Sequence, residues 1–325
     1  MIAFTLSNAK LWSKFGSRGV FGGIAMPELF QTRDDIFLLP ADAASSAGLN
    51  RLQDGYPNRI LSMGIAEQNA VGVAAGLAKE GNTPFVLSFA PFVSLRCADQ
   101  IRLCCGYMGL PLKLVALASG LAMGINGPSH LGYEDMAFLR AVPNITIFSP
   151  ADCSETVKAV LAAVDCPGPV YIRLTGELNN PPVYTEDYEF QPGKAVRLRE
   201  GRDVAFIATG TMVHACLEAA KLLEAQGCSA AVLDMHTISP LDDEAVLSCR
   251  TAKLIVTAEE HSVTGGLGGA VAECLAESGT HPPLLRLGFN SAEGYPHADT
   301  YANLLERLGL TPEGICQSVM KALHG

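Results

Sequence analysis

The chain has 325 residues, 49% of them hydrophobic and 17% charged, enough apolar surface for a large core and enough length for two domains rather than one. Its 33 acidic residues outnumber 23 dispersed basic ones, for a net charge of -10, which excludes nucleic acid as a partner because a phosphate backbone needs clustered cations. No apolar run reaches bilayer length and no small-residue cleavage site follows an apolar stretch at the start, so a soluble, cytoplasmic protein with no membrane partner is expected.

Taken in chain order, short β-rich runs alternate with helix-length stretches, the pattern of α/β folds with parallel sheets between helices. Strands are expected at residues 36–39, 83–89, 112–118, 145–148 and 170–174, each rich in Val, Ile, Leu or Phe. A helix is expected over 65–79, buried because Ala, Val and Leu recur on more than one face, with Gly72 and Gly76 permitting close contact and Gly81 ending it. Another is expected to start at Ser149, with Pro150 in the first helical position and Asp152 completing a capping box.

From Thr175 to Gly193 the periodicity lapses into a polar, Pro-containing stretch that reads as a linker, placing a boundary near 190 between domains 1–190 and 191–325. A second, smaller doubly wound set follows, with strands at 204–209, 230–235 and 254–258 and helices at 213–225 and 269–277. The ten cysteines are scattered through apolar segments with no CxxC or Cys/His ligand spacing, which reads as reduced thiols in small core sites.

The chemistry concentrates around Glu67, a carboxylate just inside the start of an otherwise apolar helix. The helix dipole alone gives it a reason, at about 0.3–1 kcal/mol. Its company gives another: Phe89-Ala90-Pro91-Phe92, then Asp99-Gln100-Ile101-Arg102, then Gly124-Ile125-Asn126-Gly127-Pro128-Ser129-His130. Together with Gly64-Ile65-Ala66-Glu67-Gln68-Asn69, these segments resemble the pyrimidine-binding domain of the transketolase family. Asp234, Thr237-Ile238-Ser239-Pro240-Leu241, Glu259-Glu260-His261 and the glycines from Gly265 to Gly269 extend the resemblance more loosely into the C-terminal domain.

The resemblance implies an α/β fold of two doubly wound domains, a thiamine-diphosphate pyrimidine-binding domain and a smaller transketolase C-terminal-like domain. It implies that Glu67 hydrogen-bonds N1′ of the aminopyrimidine and favours the imino form, whose nitrogen removes the thiazolium proton. A carboxyl group in an apolar helix environment has its pKa raised and can share a proton near neutral pH. Phe89 and Phe92 match the aromatic wall of the cofactor pocket, where stacking adds about 0.5–1.5 kcal/mol, with Phe92 the preferred stacker. His130 matches a position facing substrate oxygens, where an imidazole assists proton transfer. Arg18 and Ser46 fall where the family places phosphate contacts, and Asn126 joins the substrate loop. His261 and the glycine run read as packing and dimer interface.

Three departures qualify the resemblance. The Gly-Asp-Gly motif that holds Mg²⁺ and the cofactor's phosphates in the family's N-terminal domain is missing from the sequence. An N-terminal, diphosphate-binding partner subunit holding most of the thiamine diphosphate and the Mg²⁺ is therefore expected, in an α2β2 heterotetramer that transfers a two-carbon ketol unit from a ketose phosphate donor. Gly176 stands where the family usually has an arginine, and Ala118-Ser119-Gly120 lacks its upstream histidine, so an ordinary pentose-phosphate acceptor is in doubt. Deoxyxylulose-phosphate synthases carry arginines near Ser119 and Gly176, and neither is present. Two rivals stay open: the β subunit of the decarboxylating component of a 2-oxoacid dehydrogenase, and a catalytically silent structural subunit.

Overall fold

The computed structural model describes residues 2–324, the side chain of Glu293 excepted. The apolar runs of the first half become β1 (Ile36–Pro40), β2 (Thr83–Phe89), β3 (Lys113–Ser119), β4 (Thr146–Phe148) and β5 (Val170–Thr175). They pair in parallel in the order β1-β2-β3-β5-β4, and their near-unbroken burial explains why they read as continuous apolar runs. The second half supplies β6 (Val196–Arg199), β7 (Val204–Ala208), β8 (Ala230–Asp234), β9 (Thr237–Ser239), β10 (Leu254–Ser262) and β11 (Leu284–Phe289). Five of these form a second sheet, β11-β10-β7-β8-β6, while β9 crosses over and pairs antiparallel with β4 at the edge of the first.

Two helices differ from expectation. The first, α1 (Glu67–Lys79), is buried only along Glu67, Ala70, Val71, Ala74, Ala75 and Ala78. Gln68, Gly72 and Gly76 form an exposed stripe, and a Cβ at either glycine would meet nothing within 4 Å, so the close contact they permit is not made within this chain. The second, α2 (Cys153–Asp165), starts four residues later than Ser149, because the chain from Ser149 to Asp152 stays non-helical and bends before the helix, with Asp152 itself extended. Asp152 is its N-cap, accepting from the Glu155 amide at 2.8 Å, and Glu155 reaches back to the Ala151 amide at 2.7 Å.

This cap ties the two halves together. The second oxygen of Asp152 accepts from the amides of Val183 and Tyr184 in the connecting segment at 2.7 and 2.8 Å. The Tyr188 hydroxyl donates to Glu155 at 2.6 Å and the Tyr184 hydroxyl donates to Asp234 of β8 at 2.8 Å. Burial, and then the Asp234 charge, hold Glu155 well above the ordinary carboxyl range, and burial pushes Asp234 up to about 7. A carboxyl whose pKa is raised by folding stabilises fully below its unfolded value, and that contribution is lost as pH rises through the folded value. Asp234→Asn, which resembles the protonated acid, is therefore expected to come closest to the parent in urea denaturation at about pH 4, near the unfolded carboxyl value, and to exceed it at about pH 8. Equal differences at both pH values would refute the pair's titration.

In the second domain α3 (Met212–Glu224) packs on β7, β8 and β10, and α4 (Leu267–Glu277) packs on β10 and β11. The glycine run before and inside α4 has a structural reason. Glu259 accepts from the amides of Leu267 and Gly268 at 2.6 and 2.7 Å, capping α4 from below. A Cβ at Gly266 would fall 2.1 Å from a Glu259 oxygen. His261 lies fully buried between the halves, its Nδ1 bonded to the Ser262 carbonyl, and burial draws it down to about 4.

Candidate active site

The carboxyl ends of β1, β2, β3 and β5 share one edge of the first sheet, the crevice where α/β folds place their ligands. The helix α1 runs back between β1 and β2, so its first residue, Glu67, lies at that same edge. Glu67 is 2% exposed. Its Oε1 accepts from the Ser88 hydroxyl at 3.1 Å and its Oε2 from Arg96 Nη1 at 2.8 Å. The expected purely apolar cage around this carboxyl is thereby corrected: a guanidinium reaches in from a short turn past β2. The same guanidinium lies 4.1 Å above the Phe92 ring, and the Arg96 carbonyl accepts from Gln68 Nε2 at 3.0 Å.

Phe89 closes β2 and Phe92 follows in the short helix Ala90–Val93, which sets their rings edge to face with centroids 6.3 Å apart. The His130 ring approaches both, 6.0 Å from Phe89 and 5.1 Å from Phe92. It arrives on a loop pinched shut by paired backbone bonds between Gly120 and Gly132, at 2.9 and 3.0 Å. Gly132 must be glycine for the loop to seat here, since a Cβ would stand 2.5 Å from the Cβ of Ala90. The Ser129 hydroxyl lies 3.0 Å from His130 Nδ1 and orients the ring.

Glu67, Phe92 and His130 thus gather with Phe89 around one wall, while the remaining candidates stand apart. Arg18 is half-buried, drawn down by burial with the Glu177 charge opposing. The turn carrying Ser46 meets it through Gly48, which lies against the backbone of Arg18 and Gly19. Asn126 is exposed on the outer limb of the His130 loop. Among the described residues, no hydrogen bond, ion pair or ring contact joins Arg18, Ser46 or Asn126 to the Glu67 group. Gly176 has φ +78°, and a Cβ there would sit 2.7 Å from a Thr211 methyl, so a side chain at this position would strain the backbone and displace Thr211.

A buried carboxylate beside an aromatic wall fits the aminopyrimidine end of the implied cofactor: the carboxylate meets a ring nitrogen and the wall meets a flat heterocycle. Two members of the site, Ser88 and Arg96, were missed from sequence. Arg96 left one signal, an arginine interrupting the apolar stretch between Phe92 and Ala98.

Residues 21–181 match the family described as "Transketolase, pyrimidine binding domain", and residues 193–315 match "Transketolase, C-terminal domain". The chain is 42% identical over 300 residues to the 6-deoxy-6-sulfo-D-fructose transketolase subunit SqwH of Clostridium sp. (strain MSTE9), covering 91% of this chain and 90% of that protein. It is 36% identical to an apulose-4-phosphate transketolase subunit of Phocaeicola vulgatus, covering 90% of this chain and 93% of the relative. Among solved structures, a split-gene transketolase described as an inactive beta4 tetramer superposes with TM-score 0.83 at 40% identity, over 95% of this chain and 98% of that one. The chain is a member of the transketolase family, composed of its pyrimidine-binding and C-terminal domains.

Proposed function

We propose that this chain is the C-terminal subunit of a split transketolase that moves a two-carbon ketol unit from a ketose donor to an acceptor, active only with a diphosphate-binding partner. The observation that carries the reading is the buried Glu67 carboxylate set beside Phe89, Phe92 and His130 at the carboxyl edge of the first sheet. Thiamine diphosphate, held with Mg²⁺ mainly by the partner, supplies the carbanion chemistry when bound. Glu67 holds the proton at the aminopyrimidine N1′, the two phenylalanines orient the ring and exclude water, and His130 moves protons at the donor's hydroxyl and carbonyl oxygens.

The substrate end is read from Arg18. The two subunit relatives are described by sugars bearing a sulfonate or a phosphate, and a fixed, half-buried guanidinium suits either anion. With Gly176 unable to carry a second cation, one anionic end is the expected limit, with Ser46 and Asn126 completing the substrate contacts. The boundary between the two domains falls near residue 190, in the segment between β5 and β6.

The assembly proposed is an α2β2 heterotetramer. Its support is the exposed stripe of α1, which begins at Gln68 next to Glu67 and follows Ile65 at 76% exposure, a face fit for a diphosphate-binding partner. Ten free thiols, most of them buried, favour the cytoplasm. Co-expression with a subunit carrying Gly-Asp-Gly is expected to yield two chains of each kind by mass measurement, with ketol transfer dependent on added thiamine diphosphate. Turnover by the lone chain, or pyruvate decarboxylation in place of ketol transfer, would overturn the reading.

A further inference from the structure

Arg96 occupies the two surfaces that an aminopyrimidine ring needs. Its guanidinium lies 4.1 Å over the Phe92 ring while Nη1 donates to Glu67 Oε2 at 2.8 Å. A guanidinium is flat, rich in nitrogen and able to stack and donate at once, so it offers the pocket the same pair of contacts as a heterocycle bearing a ring N–H. The two partners differ in freedom: the Arg96 side chain is 42% exposed and the Glu67 side chain 3%. The guanidinium has solvent to swing into, and the carboxylate has none.

Resting on the thiamine diphosphate reading of this site, we propose that Arg96 is a placeholder, holding the Glu67 carboxylate and the Phe92 face until the aminopyrimidine displaces it. Two physical demands lead there. Without a cation, Glu67 in the unloaded chain would be a desolvated carboxylate supported only by the Ser88 hydroxyl, an arrangement that is costly to maintain. With the cation fixed in place, Glu67 Oε2 is already taken by the Arg96 guanidinium and is not open to a ring nitrogen. Both demands are met if the guanidinium sits on the carboxylate in the empty site and leaves it in the loaded one.

The local structure suits such a motion. The backbone of Arg96 is anchored, its carbonyl receiving Gln68 Nε2 at 3.0 Å and its turn, Leu95–Cys97, packed against α1. Only the side chain has to move. Arg96 is then a positioning residue: it keeps Glu67 aimed along the wall before the cofactor arrives and sets a cost on its arrival.

A closed state that must open before binding raises the apparent Kd by the reciprocal of the fraction open, so a site about nine-tenths closed binds about tenfold more weakly. In the complex with the diphosphate-binding subunit, Arg96→Met is therefore expected to bind thiamine diphosphate in the presence of Mg²⁺ about tenfold more tightly than the parent, by isothermal titration calorimetry. Arg96→Lys, which keeps the charge and loses the planar stack, is expected to fall between the two. The lone Arg96→Met chain is expected to melt below the parent, since Glu67 loses its cation. A static clamp or a purely structural arginine gives the opposite, equal or weaker cofactor binding in both variants, and that result overturns the placeholder. A parent complex that binds no thiamine diphosphate overturns the function proposed above and this inference with it. A parent that binds, beside variants that bind no tighter, overturns Arg96's role alone.

Discussion

Glu67→Gln in the reconstituted complex is expected to lower ketol transfer by ~10²–10⁴-fold, the range over which a positioned proton-transfer group acts. The substitution preserves the shape of the side chain and its bond to the Ser88 hydroxyl, so the wall of Phe89 and Phe92 should stay in place. What it removes is an oxygen that can gain and lose a proton against a ring nitrogen. Thiamine diphosphate should still bind, because the aromatic faces and the partner's hold on the diphosphate are untouched. The measurement is kcat beside cofactor affinity for parent and variant, and a variant turning over at the parent's rate would make this chain a silent partner.

Arg173→Leu is expected to destabilise the chain by ~3–5 kcal/mol, because it strips the cation from a buried pair. Arg173 is fully buried on β5, where its Nε bonds both oxygens of Asp135 at 3.2 and 3.0 Å. Its Nη2 donates to the carbonyls of Gly132 and Glu260, each at 2.7 Å, linking the neck of the His130 loop to the second domain. Removing the guanidinium leaves Asp135 and two carbonyls short of a donor in one stroke, although Tyr171 still donates to Asp135 at 2.7 Å. Urea denaturation at neutral pH measures the loss, and Asp135→Leu added to Arg173→Leu should recover part of it. A single variant within about 1 kcal/mol of the parent would show that the pair carries little of the interdomain stability.

What the sequence disclosed followed burial. The strands β1 to β5, β7, β8 and β10 were legible because a parallel strand covered on both faces is written as an unbroken apolar run. The strands β6, β9 and β11 were not: Val196-Arg197-Leu198-Arg199 is a polar edge, Thr237–Ser239 is only three residues long, and β11 is mostly half-buried. The start of α2 was misplaced because Ser149 and Pro150 carry capping chemistry, while the deciding bond is the one Asp152 makes to the Glu155 amide. Glu67, Phe89, Phe92 and His130 could be grouped from motifs in chain order. Arg96 could not, since its value lies in contacts to a carboxylate 29 positions earlier and to a ring on another turn, which only the folded chain creates.

The crossing of β9 bears on modularity. Residues 237–239 belong by chain order to the second half, yet they supply the outermost ribbon of the first sheet, along the flank of β4. An isolated pyrimidine-binding half would show β4 bare, an open template for another chain's strand. Chimeras that exchange C-terminal halves between relatives must therefore import a ribbon compatible with the flank of β4.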